Sequence, residues 1–327
     1  MGRYREWQGT ATHFTGKEEW SIVRRNQVSR FIGRNIELFT FSLPAVIYIF
    51  VMAYVPMFGA VIAFKNYEYD KGILGSDWVG FQNFEFLFKS ENAFRITRNT
   101  ILYNVSYMLM TTIFALLVAI LLHEISKKWL KLYQTAMILP FFLSWVVVSY
   151  ITMAFLDHQN GFLNGWLTAL GFEKVQWYFD AHVWPYILNV VHLWKSIGFS
   201  ALVYFAGILG IDAELYEAAR IDGARRWQMI WNVTIPQLTP LIIILLILSI
   251  GNMFRGDFGL HYFIPNNNGM TYSTTDIIDT YIYRALSTLG DVSMASAVGL
   301  YQSFVGFVLV VAANFTVRKI NEENSLF

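Results

Sequence analysis

The sequence predicts an all-α integral membrane protein with six transmembrane helices. Of its 327 residues, 55% are hydrophobic and only 14% are charged, whereas typical soluble domains carry about 25% charged residues. Aromatic residues make up 17% of the chain, including 11 Trp and 18 Tyr, the two types that are enriched where a bilayer meets water. The chain has no cysteine, which excludes disulfides, iron–sulfur clusters and thiolate metal sites.

The six predicted spans are segments of sufficient length and apolarity to cross a bilayer. A helix needs about 20 mainly apolar residues to cross the hydrocarbon core. Prolines inside these segments are compatible with membrane helices, because neighbouring groups satisfy the freed backbone atoms. The spans cover residues 39–64, 100–122, 132–156, 185–209, 234–254 and 292–317. We expect them to form one membrane domain over residues 38–320, between an arm of residues 1–37 and a tail of residues 321–327.

The distribution of basic residues predicts that both termini face the cytosol. Cytosolic loops of membrane proteins carry an excess of Lys and Arg. With the N-terminus inside, 15 of the 24 basic residues fall on the cytosolic side and eight on the outer side, and Lys195 lies within a span. The arm of residues 1–37 lacks an apolar stretch of the secretory type. It is interpreted as an anchor for the first span, or as an amphipathic helix on anionic headgroups.

The loop of residues 212–236, between the fourth and fifth spans, carries the pattern of a small helical hairpin. Asp212 is a predicted N-cap, because its carboxylate can accept hydrogen bonds from the free amides of a first turn. Gly223 can adopt the left-handed conformation that closes such a helix. The following residues ARRWQMIWNV are again helical in pattern, and Pro236 lies near the start of the next span. On this pattern alone, the loop could be an ordinary amphipathic connection at the membrane interface.

The spacing Glu-Ala-Ala-x3-Gly-x9-Val-x-Ile-Pro of this loop resembles the EAA loop of the membrane subunits of type I ABC importers. Val and Ile replace the Ile and Leu of the usual pattern, which are conservative changes. The resemblance implies the fold of these permeases and assigns the loop to a coupling helix that docks on an ATPase subunit. The residues implied in coupling are Glu217, Ala218, Ala219, Asp222, Gly223, Arg225 and Arg226.

Three further stretches resemble the sugar permeases of the same family. WVGFQNFEFLF (78–88) and FLNGWLTALG (162–171) are similar to two outer loops of those proteins, and WKSIGF (194–199) is similar to the start of their fourth span. Together with YVPMFGAVIAFKNY (54–67), they are most similar to the branch that imports complex oligosaccharides. The resemblance covers residues 35–320 and implies a permease in the cytoplasmic membrane of a bacterium.

The resemblance also implies partners. The sequence contains no GxxxxGK[ST] phosphate loop, so we expect the chain to be no enzyme and to bind no cofactor. ATP and Mg would be held by a dimer of separate ATP-binding subunits. A second, homologous permease would complete the pathway, and an extracytoplasmic solute-binding protein would deliver the carbohydrate. No feature indicates nucleic acid, and the six His residues show no metal-ligand spacing.

Polar and aromatic residues in the spans are the candidate substrate contacts, because sugars stack on aromatic faces and amides bind their hydroxyls. Lys195 is a functional candidate as the one charge at membrane depth, although its ammonium could instead extend to the headgroups. For most of the others, helix packing or interfacial anchoring is the alternative. The candidates are Asn189, His192, Trp194, Lys195, Asn252, Phe254, Asp257, Tyr301, Gln302 and Tyr150.

Two other interpretations stay open from the sequence. The EAA loop also occurs in importers of amino acids, phosphate and metals, so the solute could be other than a sugar. A self-contained channel or an intramembrane enzyme is the alternative from a different class. A channel should show repeated polar positions along its pore, and an intramembrane enzyme should show a nucleophile and a base within the spans. Neither pattern is visible in the predicted spans.

Overall fold

The computed structural model of the protein describes residues 35–320 and confirms the all-α membrane fold. Residues 1–34 of the predicted arm and the predicted tail, residues 321–327, lie outside the described part. The chain divides into two compact units, with the boundary after Ala60.

The first unit contains most of the first predicted span. It begins with α1 (Ile36–Ile49), continues as one wide helical turn (Phe50–Tyr54) and ends in α2 (Val55–Met57). A tighter 3₁₀ segment (Phe58–Phe64) crosses the boundary between the units. The whole stretch Ile36–Phe64 is long and apolar enough to cross a membrane.

The loop after this span is held by side chains of its own sequence. Strands β1 (Lys65–Asn66) and β2 (Asp77–Trp78) pair antiparallel, with α3 (Gly72–Gly75) between them and α4 (Glu85–Lys89) after them. Asn83, from the WVGFQNF stretch, donates from its amide to the carbonyl oxygens of Ala63 and Lys65, both at 2.9 Å. The buried ammonium of Lys65 donates to two carbonyls of the α3 turn. These residues of the motif therefore stabilise the loop.

Four long helices form the body of the second unit: α5 (Glu91–Glu124), α9 (Trp184–Leu209), α12 (Ile235–Gly251) and α16 (Val292–Ile320). Helices α5, α9 and α16 are each long and apolar enough to cross a membrane, and α12 is so as the last part of a continuous helix from Arg226 to Gly251. The central pair, α5 and α9, packs along much of its length. Small residues such as Ala115, Ala119 and Ala201 lie in this interface, where they allow the close backbone approach that membrane helices favour. The two other helices, α12 and α16, pack against each other.

The structure divides the predicted third span, residues 132–156, into two helices. α6 (Lys127–Ile138) continues through a 3₁₀ turn (Leu139–Phe142), and α7 (Trp145–Leu156) then leaves at an angle of 100°. Pro140 lies in the turn and lacks the amide hydrogen that a continuing helix needs. The oxygen of Ser144 caps α7 by accepting from the amide of Val147. The described chain therefore has five straight candidate spans, or six if the bent pair crosses as one.

Short helices occupy the loops. α8 (Phe162–Ala169) follows α7, and its fully buried Asn164 holds the next segment by bonding the backbone of Val175 and the indole of Trp177. α10 (Ala213–Ile221) and α11 (Arg226–Met229) join α9 to α12, and a wide turn (Ile230–Thr234) makes residues 226–251 one continuous helix. The loop between α12 and α16 contains α13 (Phe258–Phe263), α14 (Tyr272–Thr275) and α15 (Ile278–Arg284).

Candidate functional site

The helix predicted in the loop of residues 212–236 is present as α10, with a cap at each end. The carboxylate of Asp212 accepts from the amide of Glu214 at 3.0 Å, which confirms the predicted N-cap. Gly223 has φ +80°, which confirms its left-handed conformation. The amide of Gly223 donates to Arg220 O, and the amide of Ala224 donates to Ala219 O. This pair of bonds is a Schellman cap, which satisfies two of the carbonyls that a helix end leaves free.

The hairpin is joined to the helix bundle by few polar contacts and is largely exposed. The hydroxyl of Tyr216 lies 3.0 Å from that of Thr234, and Arg226 forms an ion pair of 3.1 Å with Glu124 at the end of α5. Glu217, Ala218, Asp222, Gly223 and Arg225 are exposed, and Ala219 is half-buried. At the tip of α10 the side chain of Ile221 is 87% exposed. The implied coupling residues thus form one accessible surface that ends in an apolar side chain.

The central cavity, of about 240 Å³, lies between three spans, α5, α9 and α12. Hydroxyl, amide and aromatic groups line it, and no charged side chain does. Asn252 is the one predicted substrate contact in this cavity, and its amide donates to Leu248 O. The other polar and aromatic lining residues are Thr111, Thr112, Phe199, Ser200, Tyr204 and Ser249. The sequence analysis missed these six, although a hydroxyl at membrane depth is itself a signal of a polar path.

Two candidates of the fourth span are engaged inside the helix bundle. Asn189 accepts from the hydroxyl of Ser106 at 2.6 Å and donates to Pro185 O at 2.7 Å. The ring of His192 stacks on that of Tyr107 at 4.0 Å. Trp194 instead lines an apolar groove of about 480 Å³ between the C-terminal part of α7 and the N-terminal part of α9.

Lys195 is buried, and its ammonium binds the break of the third span. It donates to Phe141 O at 2.7 Å and to Pro140 O at 3.4 Å, and it lies 5.0 Å from the ring centre of Trp145. One turn later, a Cβ on Gly198 would lie 1.8 Å from Met137 O. The WKSIGF stretch therefore packs α9 against the bend, and the ammonium of Lys195 is bound there by backbone carbonyls.

The candidates around the end of α12 are placed close together. Gln302 is buried and donates to Phe254 O at 2.7 Å, and the rings of Phe254 and Tyr301 meet edge to face. Asp257 caps α13 by accepting from the amide of Leu260, and burial raises the pKa of the Asp257 carboxyl above its ordinary value. Tyr150 is exposed and lines a second polar groove beside α13.

One buried polar pair was not found from the sequence. His261 of α13 has Nδ1 2.9 Å from Thr275 O, and its Nε2 lies 3.1 Å from the hydroxyl of Tyr107 on α5. Because a carbonyl can only accept, Nδ1 carries the hydrogen, and the Tyr107 hydroxyl donates to Nε2 of the neutral ring. The two residues are 154 positions apart, so no local pattern signals the contact.

Comparison with known protein families and proteins gives consistent matches. Residues 93–322 match the family described as binding-protein-dependent transport system inner membrane component. The chain is 34% identical over 293 residues to Protein LplB of Bacillus subtilis (strain 168), covering 89% of this chain and 92% of LplB. It is 36% identical over 311 residues to the polygalacturonan/rhamnogalacturonan transport system permease protein YteP of the same organism, covering 92% and 95%.

Two solved structures share the fold over nearly the whole chain. One is a bacterial ABC transporter involved in the import of the acidic polysaccharide alginate, with a TM-score of 0.82 and 32% identity over 90% of this chain and 99% of the matched chain. The other is a bacterial alginate ABC transporter in complex with an alginate pentasaccharide-bound periplasmic protein, with a TM-score of 0.81, 32% identity and coverage of 89% and 97%.

Proposed function

The chain belongs to the family of binding-protein-dependent transport system inner membrane components, and we propose that it is the permease subunit of an ATP-driven importer of oligosaccharides or polysaccharides. In this proposal the chain forms half of the translocation pathway in the cytoplasmic membrane of a bacterium, with both termini in the cytosol. The observation that carries the proposal is the capped, exposed helix α10 between two spans.

The proposed ATPase contact is the exposed face of α10. An exposed apolar residue at the tip of a helix, surrounded by charged and small residues, suits docking into a cleft of a partner protein. Ile221 is that residue, and Glu217, Ala218 and Ala219 lie on the same short helix. Helix α9 runs directly into the hairpin and α12 leaves it. Movement of α10 by an ATPase would therefore act on two of the spans that line the central cavity.

The proposed substrate is a carbohydrate, taken through the cavity between α5, α9 and α12. Its hydroxyl, amide and aromatic lining offers hydrogen bonds and ring faces, which suits a polyhydroxylated solute. The names of YteP and of the alginate transporter support this class. A second homologous permease would close the open side of the pathway, a dimer of ATP-binding subunits would hold ATP and Mg, and an extracytoplasmic binding protein would deliver the sugar, as the periplasmic protein in the second matched structure supports.

Reconstitution tests this function. The complete transporter, purified through this chain with its partner subunits, is placed in proteoliposomes with its binding protein and offered labelled oligogalacturonide, alginate pentasaccharide or xylohexaose. We expect uptake of at least one probe that requires both ATP and the binding protein. Uptake that continues without ATP, or ATP hydrolysis by the purified chain alone, would contradict the proposal.

The docking surface has its own test. Ile221→Asp should reduce the amount of ATP-binding subunit that co-purifies with the chain by about ten-fold, because loss of a buried interface anchor costs about 1–2 kcal/mol or more. Leu170→Asp is the matched control, because Leu170 is a similarly exposed apolar residue, 71% accessible, at the end of α8. Equal recovery of the ATP-binding subunit with both variants would count against docking at α10.

A further inference from the structure

A groove of about 440 Å³ lies between α7 and the turn that follows α13. Ser149 and Tyr150 of α7 form one wall, and Tyr262, Asn266 and Asn267 form the other. The groove is separate from the central cavity, because the two share no lining residue. It also lies at the other end of the spans from the hairpin, since the loop that bears it begins where the continuous helix from Arg226 ends.

The backbone of the Asn266–Asn267 turn is of a kind that favours glycine. The amide of Asn267 donates to Tyr262 O and that of Asn266 to Phe263 O, which is the Schellman pattern that also closes α10. Helix α8 ends in the same way at Gly171, with φ +85°, as α10 does at Gly223. In the turn that follows α13, the residues in the left-handed conformation are Asn266 (φ 55°) and Asn267 (φ 45°). Asparagine is the side chain that best tolerates this region, and here it adds amides where glycine would suffice.

The turn is held by a buried ion pair behind it. Arg284 donates to Asp276 Oδ1 at 2.6 Å and to the side-chain oxygen of Asn267 at 3.2 Å. The hydroxyl of Tyr272 donates to the same oxygen of Asn267 at 2.8 Å, and the Arg284 guanidinium lies 4.1 Å from the Tyr272 ring centre. With its oxygen satisfied, the amide of Asn267 is fixed in orientation, while the side chain of Asn266 stays exposed. The surrounding structure therefore stabilises an uncommon backbone conformation at the groove wall.

The aromatic rings of the groove are placed for stacking. Tyr262 is fixed by Phe258 and Tyr283, whose ring centres lie 4.9 Å and 5.1 Å from its own. Tyr150 is 69% exposed. No charged side chain lines the groove. Aromatic faces combined with amide groups, without charge, suit the apolar ring faces and the hydroxyls of sugars better than carboxylates.

We propose that this groove is a second carbohydrate-binding site, at the mouth of the pathway, in which a sugar ring stacks on Tyr150 while its hydroxyls bond the amide of Asn266. The inference rests on the proposed function, because it assumes that a saccharide passes this end of the chain. A chain of several sugars would occupy the groove and the central cavity together, whereas a disaccharide would occupy one at a time. The groove therefore favours long saccharides over short ones.

The test compares transport of a long and a short saccharide by the complete transporter in proteoliposomes. The probe series is whichever of oligogalacturonides, alginate oligosaccharides or xylo-oligosaccharides the unmodified transporter takes up, each as dimer and hexamer. Asn266→Gly removes the amide and keeps the backbone conformation, and Tyr150→Ala removes the ring. Tyr150→Phe retains the stacking face. Tyr186→Ala is the matched control, because Tyr186 is 76% exposed in the apolar groove beside α9.

We expect Asn266→Gly and Tyr150→Ala each to lower kcat/KM for transport of the hexamer by about five-fold, which corresponds to the loss of one good contact. The kcat/KM for the dimer should stay within about two-fold of its value in the unmodified transporter. Tyr150→Phe and Tyr186→Ala should leave kcat/KM unchanged for both the dimer and the hexamer. The binding-protein concentration that half-saturates ATP hydrolysis should be the same in all variants.

Three outcomes would overturn the groove as a sugar site. If kcat/KM fell equally for dimer and hexamer, and more binding protein were needed to half-saturate ATP hydrolysis, the groove would be a contact site for the binding protein. Loss of the second permease from the purified complex would assign it to that subunit. Unchanged hexamer transport in both Asn266→Gly and Tyr150→Ala would show that nothing in transport uses it. Failure of the unmodified transporter to take up any of the three series would instead count against the proposed function.

Discussion

The hairpin before α12 and the loop after it are stabilised in opposite ways. The hairpin is held by its own sequence: Asp212 caps one end of α10, and Gly223 closes the other, within a dozen residues. Its ion pair with the bundle, between Arg226 and Glu124, joins two exposed side chains. The shape of such a helix depends mainly on its own caps and little on the bundle.

The loop of residues 255–291 is held by distant parts of the chain. Asn99 of α5 donates to Asp276 O, 177 residues away, and Tyr103 donates to Thr274 O, 171 residues away. His261 bonds Tyr107 of the same helix. A buried ion pair between Arg284 and Asp276 lies within the loop. The comparison indicates that the hairpin is stabilised by its own residues, whereas the loop of residues 255–291 is joined to the helix bundle by buried contacts with α5.

The two regions should differ most in how strongly the loss of an ion pair lowers the stability of the protein. The side chains of Arg284 and Asp276 are 19% and 1% exposed, and those of Arg226 and Glu124 are 81% and 41% exposed. Removing one partner of a buried pair leaves an uncompensated charge and costs about 3–5 kcal/mol. An exposed pair contributes less than about 1 kcal/mol. We therefore expect Arg284→Met to lower the melting temperature of the purified protein strongly, and Arg226→Met to change it little.

Thermal unfolding in detergent, followed by tryptophan fluorescence, measures both variants under the same conditions. The double variant Arg284→Met/Asp276→Leu removes both charges and should recover much of the lost stability, because an apolar pair of similar volume leaves no charge unpaired. Equal melting temperatures for Arg284→Met and Arg226→Met would show that burial does not distinguish the two regions.

A smaller effect on stability, with a large effect on coupling, is expected at Gly223. A side chain at φ +80° costs about 1–2 kcal/mol, and a Cβ there meets no atom within 4 Å, so the cost arises from the backbone alone. Gly223→Val should change the end of α10 and lower the saccharide imported per ATP hydrolysed, with the complex still assembled. Gly165→Val is the control, because Gly165 also has open space around it but lies inside α8 with ordinary helical φ. Import per ATP that is unchanged by Gly223→Val would contradict a coupling role.

The contrast between local and distant stabilisation also explains which features the sequence predicts. The caps of α10 depend on residues a few positions apart, so Asp212 and Gly223 were predicted correctly. Apolar length predicts the straight spans for the same reason. The contacts between α5 and the loop of residues 255–291 join residues more than 150 positions apart, so no local sequence pattern predicts them.

The bend in the third span shows an intermediate case. Pro140 is a visible signal, but prolines also occur at Pro44 and Pro240 inside helices that continue. The distinguishing feature is Lys195 on α9, whose ammonium satisfies carbonyls that the break sets free. A single charge at membrane depth suggested a substrate contact, whereas its nearest groups are backbone oxygens of another helix. The carbonyl oxygens that this ammonium contacts lie 55 and 54 positions away, so the contact could not be predicted from the sequence, and a role of Lys195 in substrate binding stays a prediction.

The smallest predicted effect is a pH dependence of stability that arises at His261, in the loop of residues 255–291. Burial lowers the pKa of His261 from 6.5 to about 4, and the ring is held neutral between Thr275 O and the Tyr107 hydroxyl. The folded state thus binds its proton less readily than the unfolded state, so the contribution of His261 to stability is complete above pH 6.5 and is lost as the pH falls towards 4. Between pH 7.5 and 5.5 the loss should be about 1 kcal/mol. His261→Gln removes the titrating group, so the difference in melting temperature between unmodified protein and variant should narrow over this range. A difference that stays constant from pH 7.5 to 5.5 would show that the ring is solvated, and the loop would then be less firmly joined to α5 than its contacts indicate.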